Sequence, residues 1–141
     1  MTKIYAVHFL VADGSHLLGS RSGRDGKPWK VGETRTATGE LEICSNGYHF
    51  SPTWEAAFRG QYIYGPLACI VEVNQTKNNM NGYMNGYKGV SRSRKLIEKH
   101  LMTAKDFNRF TNFSNKSSNR ARGAKAFAKF MGKLTGWYDV P

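Results

Sequence analysis

Two apolar runs limit the folds open to this chain. Residues 3–10 (KIYAVHFL) and 67–73 (LACIVEV) are dominated by β-branched, aromatic and aliphatic side chains. Runs of this kind read as strands buried on both faces, unlike the strict alternation of a strand with one wet side. The first predicts an interior strand, polar only at His8 within its body. The second is the most apolar stretch of the chain and predicts a central strand. Both are far shorter than the roughly 18 apolar residues that read as a membrane span. The first strand begins almost at Met1, with no long apolar stretch of a signal peptide before it, so a cytoplasmic location is expected.

The remaining elements follow from local chemistry. Residues 12–28 form a Gly-containing loop, and Trp29, Val31, Thr34 and Thr36 predict a short second strand. Residues 41–44 and 48–50 flank Asn46-Gly47, a two-residue hairpin signal. Ser51-Pro52-Thr53-Trp54-Glu55 predicts a helix start, with Ser51 as cap, Pro52 in the first helical position and Glu55 at the positive end of the dipole. Gly60 should end that helix. Residues 61–64 and 67–73, joined by Gly65-Pro66, give two more strands. Residues 74–89 (NQTKNNMNGYMNGYKG) contain a tandem repeat, Met80-Asn81-Gly82-Tyr83 followed by Met84-Asn85-Gly86-Tyr87, in a composition that makes a loop.

Further along, residues 90–101 predict a strand turning into a helix. Thr103 and Asp106 resemble a capping box, and Phe107, Phe110 and Phe113 behind them predict a core stripe. After a polar linker over 114–119, a helix is expected over about 120–134. Its Ala124, Phe127, Ala128, Met131 and Leu134 fall on one face, and Arg120, Arg122, Lys125, Lys129 and Lys133 cover the others. The 141 residues therefore predict one α+β domain. Its sheet, mainly antiparallel, comes from residues 3–75, with a short helix after the second hairpin and helices at the C-terminal end.

Charge divides this domain in two. Residues 1–75 hold seven basic and seven acidic side chains, whereas residues 76–141 hold fourteen basic and three acidic ones. The whole net charge of +11 sits in the second part. Such asymmetry points to a polyanionic partner. Aromatic and cationic residues interleaved in a polar loop, here Tyr83 and Tyr87 beside Lys77 and Lys88, suit contacts to single strands or RNA.

Motifs for specific chemistry are sparse. Gly19-Ser20-Arg21-Ser22-Gly23 lacks the Gly-x-Gly-x-x-Gly spacing, and Gly26-Lys27 is followed by Pro28, so neither is a nucleotide loop. Only His49 of the four histidines lies near Cys44, short of the four ligands a structural zinc site uses, so no metal is expected. Cys44 and His49 read better as a packed thiol and a satisfied imidazole than as a nucleophile and its base. Cys69 reads as a small core residue.

Two resemblances arise from residues 42–51 (EICSNGYHFS) and their surroundings. The chain resembles a small domain family of phages and bacteria with no assigned activity. The likeness lies in Tyr5 and His8 on the first strand, the Cys…Gly-x-His-x-Ser-like stretch from Cys44 to Ser51, a helix with Ala56, a strand like 67–73, and an Arg pair like Arg92 and Arg94. It covers residues 3–97 and implies a phage or mobile-element protein acting on host or defence machinery, in the host cytoplasm. The segment Gly47-Tyr48-His49-Phe50-Ser51 with the following helix also looks like part of an ADP-ribosyltransferase fold. That likeness implies an NAD-using enzyme in which His8, His49 and Glu72 converge, Glu72 stabilising charge on the ribose.

The preferred expectation is non-enzymatic, with no cofactor. A small basic accessory protein would bind RNA, DNA or a nucleoprotein machine through its C-terminal half, in host takeover or anti-defence. Arg92, Arg94, Lys95, Arg120, Arg122, Lys125 and Lys129 would meet phosphates, and Tyr83 and Tyr87 would stack. One alternative is the NAD-dependent enzyme. The other is an inhibitor docking on an acidic face of a host protein.

Overall fold

The computed structural model describes residues 2–13, 16–17, 29–40, 46–75, 87–112 and 117–138. In chain order its elements are β1 (Thr2–Leu10), β2 (Ala12–Asp13), β3 (His16–Leu17), β4 (Thr34–Thr36), β5 (Tyr48–Phe50), α1 (Trp54–Arg59), β6 (Leu67–Gln75), β7 (Gly89–Ser91), β8 (Ser93–Leu101), α2 (Ala104–Thr111) and α3 (Ser117–Thr135). The fold is α+β, and among the described residues the strand pairs are antiparallel and two of the three helices lie at the C-terminal end.

The larger sheet runs β1-β6-β8-β4, so the apolar run at β6 lies between two neighbours as its composition requires. β1 ends the sheet order, yet its outer edge is not bare. Val7 and Ser51 exchange backbone hydrogen bonds of 2.9 and 2.8 Å. Ser51 directly follows β5, β5 pairs with β7, and β7 runs through Arg92 into β8. A hydrogen-bonded ring results: β1 to β6, β6 to β8, along the chain to β7, across to β5, and back to β1.

The alternation of strand side chains builds two cores from the same strands. Ala6, Leu10, Phe50, Leu67, Cys69, Val71, Val73 and Leu96 point to one side, where β1, β5, β6 and β8 contribute and Trp29 joins them. Val7, Phe9, Ala68 and Ile70 point to the other and meet Trp54, Ala57 and Phe58 of α1, Phe110 of α2, and Ala124, Phe127 and Met131 of α3. Gly65 lets the chain turn tightly over the end of β1, since a Cβ there would lie 2.3 Å from the Leu10 carbonyl oxygen.

Several expectations change. Ser51 is committed to the bridge with Val7, and Thr53 caps α1, its hydroxyl accepting from the Ala56 N–H at 3.0 Å. Residues 61–64 are not a strand. β8 continues to Leu101 and no helix begins before Ala104, because pairing with β6 as far as Leu67 holds that segment extended. Residues 41–45, half of the expected Asn46-Gly47 hairpin, lie outside the described residues, and β5 takes the distant β7 as partner. The 120–134 helix starts earlier, at Ser117, within the expected linker. Thr103 caps the helix that follows, its hydroxyl accepting from the Asp106 N–H at 3.2 Å, but the Asp106 carboxylate accepts from that same hydroxyl at 2.9 Å. Phe110 is buried, while Phe113 lies outside the described residues.

The reassigned cap makes a direct prediction. Thr53→Ala should destabilise the fold by about 1 kcal/mol, the usual cost of losing an N-cap oxygen. Urea unfolding measures it, and an unchanged midpoint would show that Thr53 does not cap.

Candidate functional site

α3 is divided lengthwise by what it touches. Ala124, Phe127 and Met131 are fully buried against α1, α2 and β1. Arg122, Lys125, Lys129 and Lys133 are exposed. Their spacing of three, four and four residues keeps them close to one line, because a helix repeats every 3.6 residues. The row is about 16 Å long at 1.5 Å per residue. The helix contains no acidic residue. Among the described residues no carboxylate forms an ion pair with these four, the pairs present being Lys3–Glu72, Arg35–Glu33 and His100–Glu98. Lys105 and Arg109 of α2 are exposed as well, with the Arg109 guanidinium 4.6 Å from the Phe110 ring centroid.

The other expected phosphate contacts fare differently. Arg94 leaves the set: it is 1 % exposed, and its guanidinium lies 4.4 Å from the Trp29 ring centroid and 5.1 Å from that of Tyr48. It also donates to the His49 carbonyl. The even register of β8 that puts Leu96 into the ring core puts Arg94 there too, and the aromatic faces compensate part of its lost hydration. Arg92 is half-buried and donates to the carbonyls of Ala37 and Gly39, which ties the chain after β4 to the β7–β8 junction. Lys95 is half-buried on β8, where its register neighbours are Glu72 and Thr34. Arg120 is half-buried near the start of α3, and Tyr87 is half-buried with its Cβ close to Gly60. Tyr83 lies outside the described residues.

The three residues of the enzyme reading do not converge. His8 opposes Cys69 and faces the ring core, whereas Glu72 opposes Tyr5, three residues along β1 and therefore on the opposite face. Glu72 is paired there with Lys3 at 3.6 Å. His8 and His49 do share a neighbourhood, with Arg94 reaching the His49 carbonyl. The Cys69 thiol is pushed up to about 12 by burial and stays protonated, so it is no nucleophile.

The chain matches no family model, no curated protein and no solved structure.

Among the described residues no helix is long and apolar enough to cross a membrane. Nor do three or more His, Cys, Asp or Glu side chains gather to hold a metal ion among them. The cations that sequence reasoning left out of the site, Lys105, Arg109 and Lys133, share one property with Arg122, Lys125 and Lys129: an exposed position on a helix whose opposite side is core. For Lys133 the signal was legible, since it continues the spacing of Lys125 and Lys129.

Proposed function

We propose that this protein binds nucleic acid through the exposed row Arg122, Lys125, Lys129 and Lys133 of α3, as a small accessory protein of the phage type acting on nucleic acid or a nucleoprotein machine. The observation that carries this reading is a cationic helix face without a carboxylate of its own, backed by a rigid aromatic core. Phosphates are spaced closely along a nucleic-acid backbone, and cations held on one helix line meet them without ordering long loops. Lys105 and Arg109 widen the basic surface. Binding that rests on a line of cations meeting phosphates is to the backbone and tolerant of sequence.

The test is a salt titration of binding to a labelled oligonucleotide. Four phosphates neutralised give a log–log slope of about −3 to −4. Lys125→Glu with Lys129→Glu should reduce the magnitude of that slope by about 2 and weaken binding at every salt concentration, while thermal stability stays nearly unchanged because both side chains are exposed. Absence of binding at low salt overturns the reading. Capture of an acidic host protein from nuclease-treated lysate, lost in the same variant, would replace it with the docking alternative.

A further inference from the structure

The helices leave one end of a sheet face uncovered. α1, α2 and α3 pack over Val7, Phe9, Ala68 and Ile70. On the same face, nearer the start of β1, the register places Tyr5, Glu72, Lys95 and Thr34 in one row across β1, β6, β8 and β4. Strands about 4.8 Å apart make this row about 14 Å wide. The next row outward begins with Lys3 and Asn74. Lys3, Tyr5 and Thr34 are exposed and the other three half-buried, whereas Ile4, Val73 and Arg94, which alternate with them, turn into the ring core. Trp137 stands at the border between helices and open sheet. Its indole N–H donates to the Glu98 carboxylate at 3.1 Å, its carbonyl accepts from the Trp54 indole at 2.7 Å, and its ring centroid lies 5.2 Å from that of Tyr5. Tyr138, 59 % exposed, turns back onto the last turn of α3, where a Cβ at Gly132 would lie 2.3 Å from its ring. Lys133, the next residue, ends the cationic row. The row, Tyr138, Trp137 and Tyr5 thus follow one another from helix to sheet.

We propose that this end of the sheet is a platform for single-stranded nucleic acid, with a base stacked on Tyr5 and the backbone meeting Lys95 and Lys3. The proposal rests on the nucleic-acid reading of α3 and adds a surface that only unpaired bases can use. Three observations favour this occupant. An exposed aromatic ring among polar neighbours on an open antiparallel sheet is a surface on which unpaired bases stack, because every base has a π-face. A duplex keeps those faces inside its own stack and presents phosphates, which engage α3 alone. The charge also suits a polyanion. Glu72 is paired with Lys3 at 3.6 Å, Glu98 at the border is held by Trp137 and the His100 ring, and Lys95 forms no ion pair among the described residues. Finally, the hydrogen bonds that fix Trp137 hold the ring against which Tyr5 rests, so little ordering is lost when a base stacks.

The experiment uses the full chain and three labelled probes: a short RNA without self-pairing, the DNA strand of the same sequence, and that RNA annealed to its complement. Fluorescence anisotropy reads each affinity. Tyr5→Ala should weaken single-strand binding about tenfold and leave duplex binding unchanged. Tyr5→Phe keeps the ring and should keep the affinity. Thr34→Glu, at an exposed position in the same row, should weaken single-strand binding alone through repulsion of the backbone, and it decides the matter if Tyr5→Ala does not fold. Lys125→Glu with Lys129→Glu should weaken strand and duplex together. A larger Tyr5→Ala effect on the RNA strand assigns RNA as the ligand, and equal effects assign single strands of either kind. Strand binding unchanged in both Tyr5→Ala and Thr34→Glu overturns the platform and leaves the α3 reading standing. Strand and duplex weakened equally by these two variants overturns it as well. A dimer that Thr34→Glu disperses in sedimentation gives the face to a second copy of this chain instead. If none of the three probes binds at low salt, the platform and the α3 reading fall together.

Discussion

Phe127→Ala is expected to lower the unfolding free energy by about 3–5 kcal/mol, a large part of the stability of a domain this size. Phe127 is fully buried where three helices and β1 meet. Its ring centroid lies 5.0 Å from Phe110, 5.5 Å from Phe58, 5.9 Å from Phe9 and 6.5 Å from Trp54. These separations lie in the range where aromatic pairs attract beyond simple burial. Truncation leaves a cavity lined by four rigid rings that cannot collapse into it. The surface carrying the cationic row then loses its backing, so the helical signal and nucleic-acid binding should fail at the same denaturant concentration. Leu134→Ala is the internal contrast. Leu134 belongs to the same apolar face by spacing, but it is 37 % exposed, and its truncation should cost about 1 kcal/mol or less. Urea midpoints of the two variants measure the difference, and equal losses would contradict this packing.

Acid should weaken the fold before its carboxylates titrate, and His8 is the cause. Burial holds the His8 pKa well below its ordinary 6.5, with Arg94, His49 and Lys88 adding repulsion. The unfolded chain therefore takes up a proton at this position below pH 6.5 that the folded chain refuses. Because the unfolded state then binds more protons, stability falls as pH falls, by up to about 1.4 kcal/mol per pH unit until the folded-state pKa is reached. Unfolding free energies measured between pH 7 and 5 should show this slope, and His8→Phe should remove it. Parallel curves for the two proteins would rule it out. Glu33 and Glu98 contribute in a lower window. A hydrogen bond from the Lys30 N–H lowers the first, and one involving the His100 ring lowers the second, so what they add is lost only below their ordinary 4.5.

Periodicity made much of this molecule readable. The apolar runs at β1 and β6, the helix cap at Thr103 and the buried face of α3 are set by neighbours within a few residues, where side-chain alternation and helix spacing act. The errors fall where a distant partner overrides local chemistry. Ser51-Pro52 has good capping chemistry, but Val7 of a strand over forty residues earlier holds Ser51 by backbone hydrogen bonds, and Thr53 takes the cap. Residues 90–101 read locally as a strand turning into a helix, but pairing with β6 keeps the segment extended to Leu101.

The candidate sites divide the same way. The sequence by itself determined that the positive charge is concentrated in the second half and that Lys125 and Lys129 share a side of a helix, because both are properties of order and spacing along one element. Only the tertiary structure decided which cations face water. Arg92 and Arg94 are two residues apart and equally basic, yet one ties down the chain beyond β4 and the other lies against the Trp29 and Tyr48 rings inside the ring of strands. It also decided that Glu72 is separated from His8 by the thickness of a sheet, while His8, Arg94 and Lys88 share a neighbourhood. Those relations depend on strand register and ring closure between segments far apart in the chain, and such long-range pairing leaves no local signal in the residues it joins.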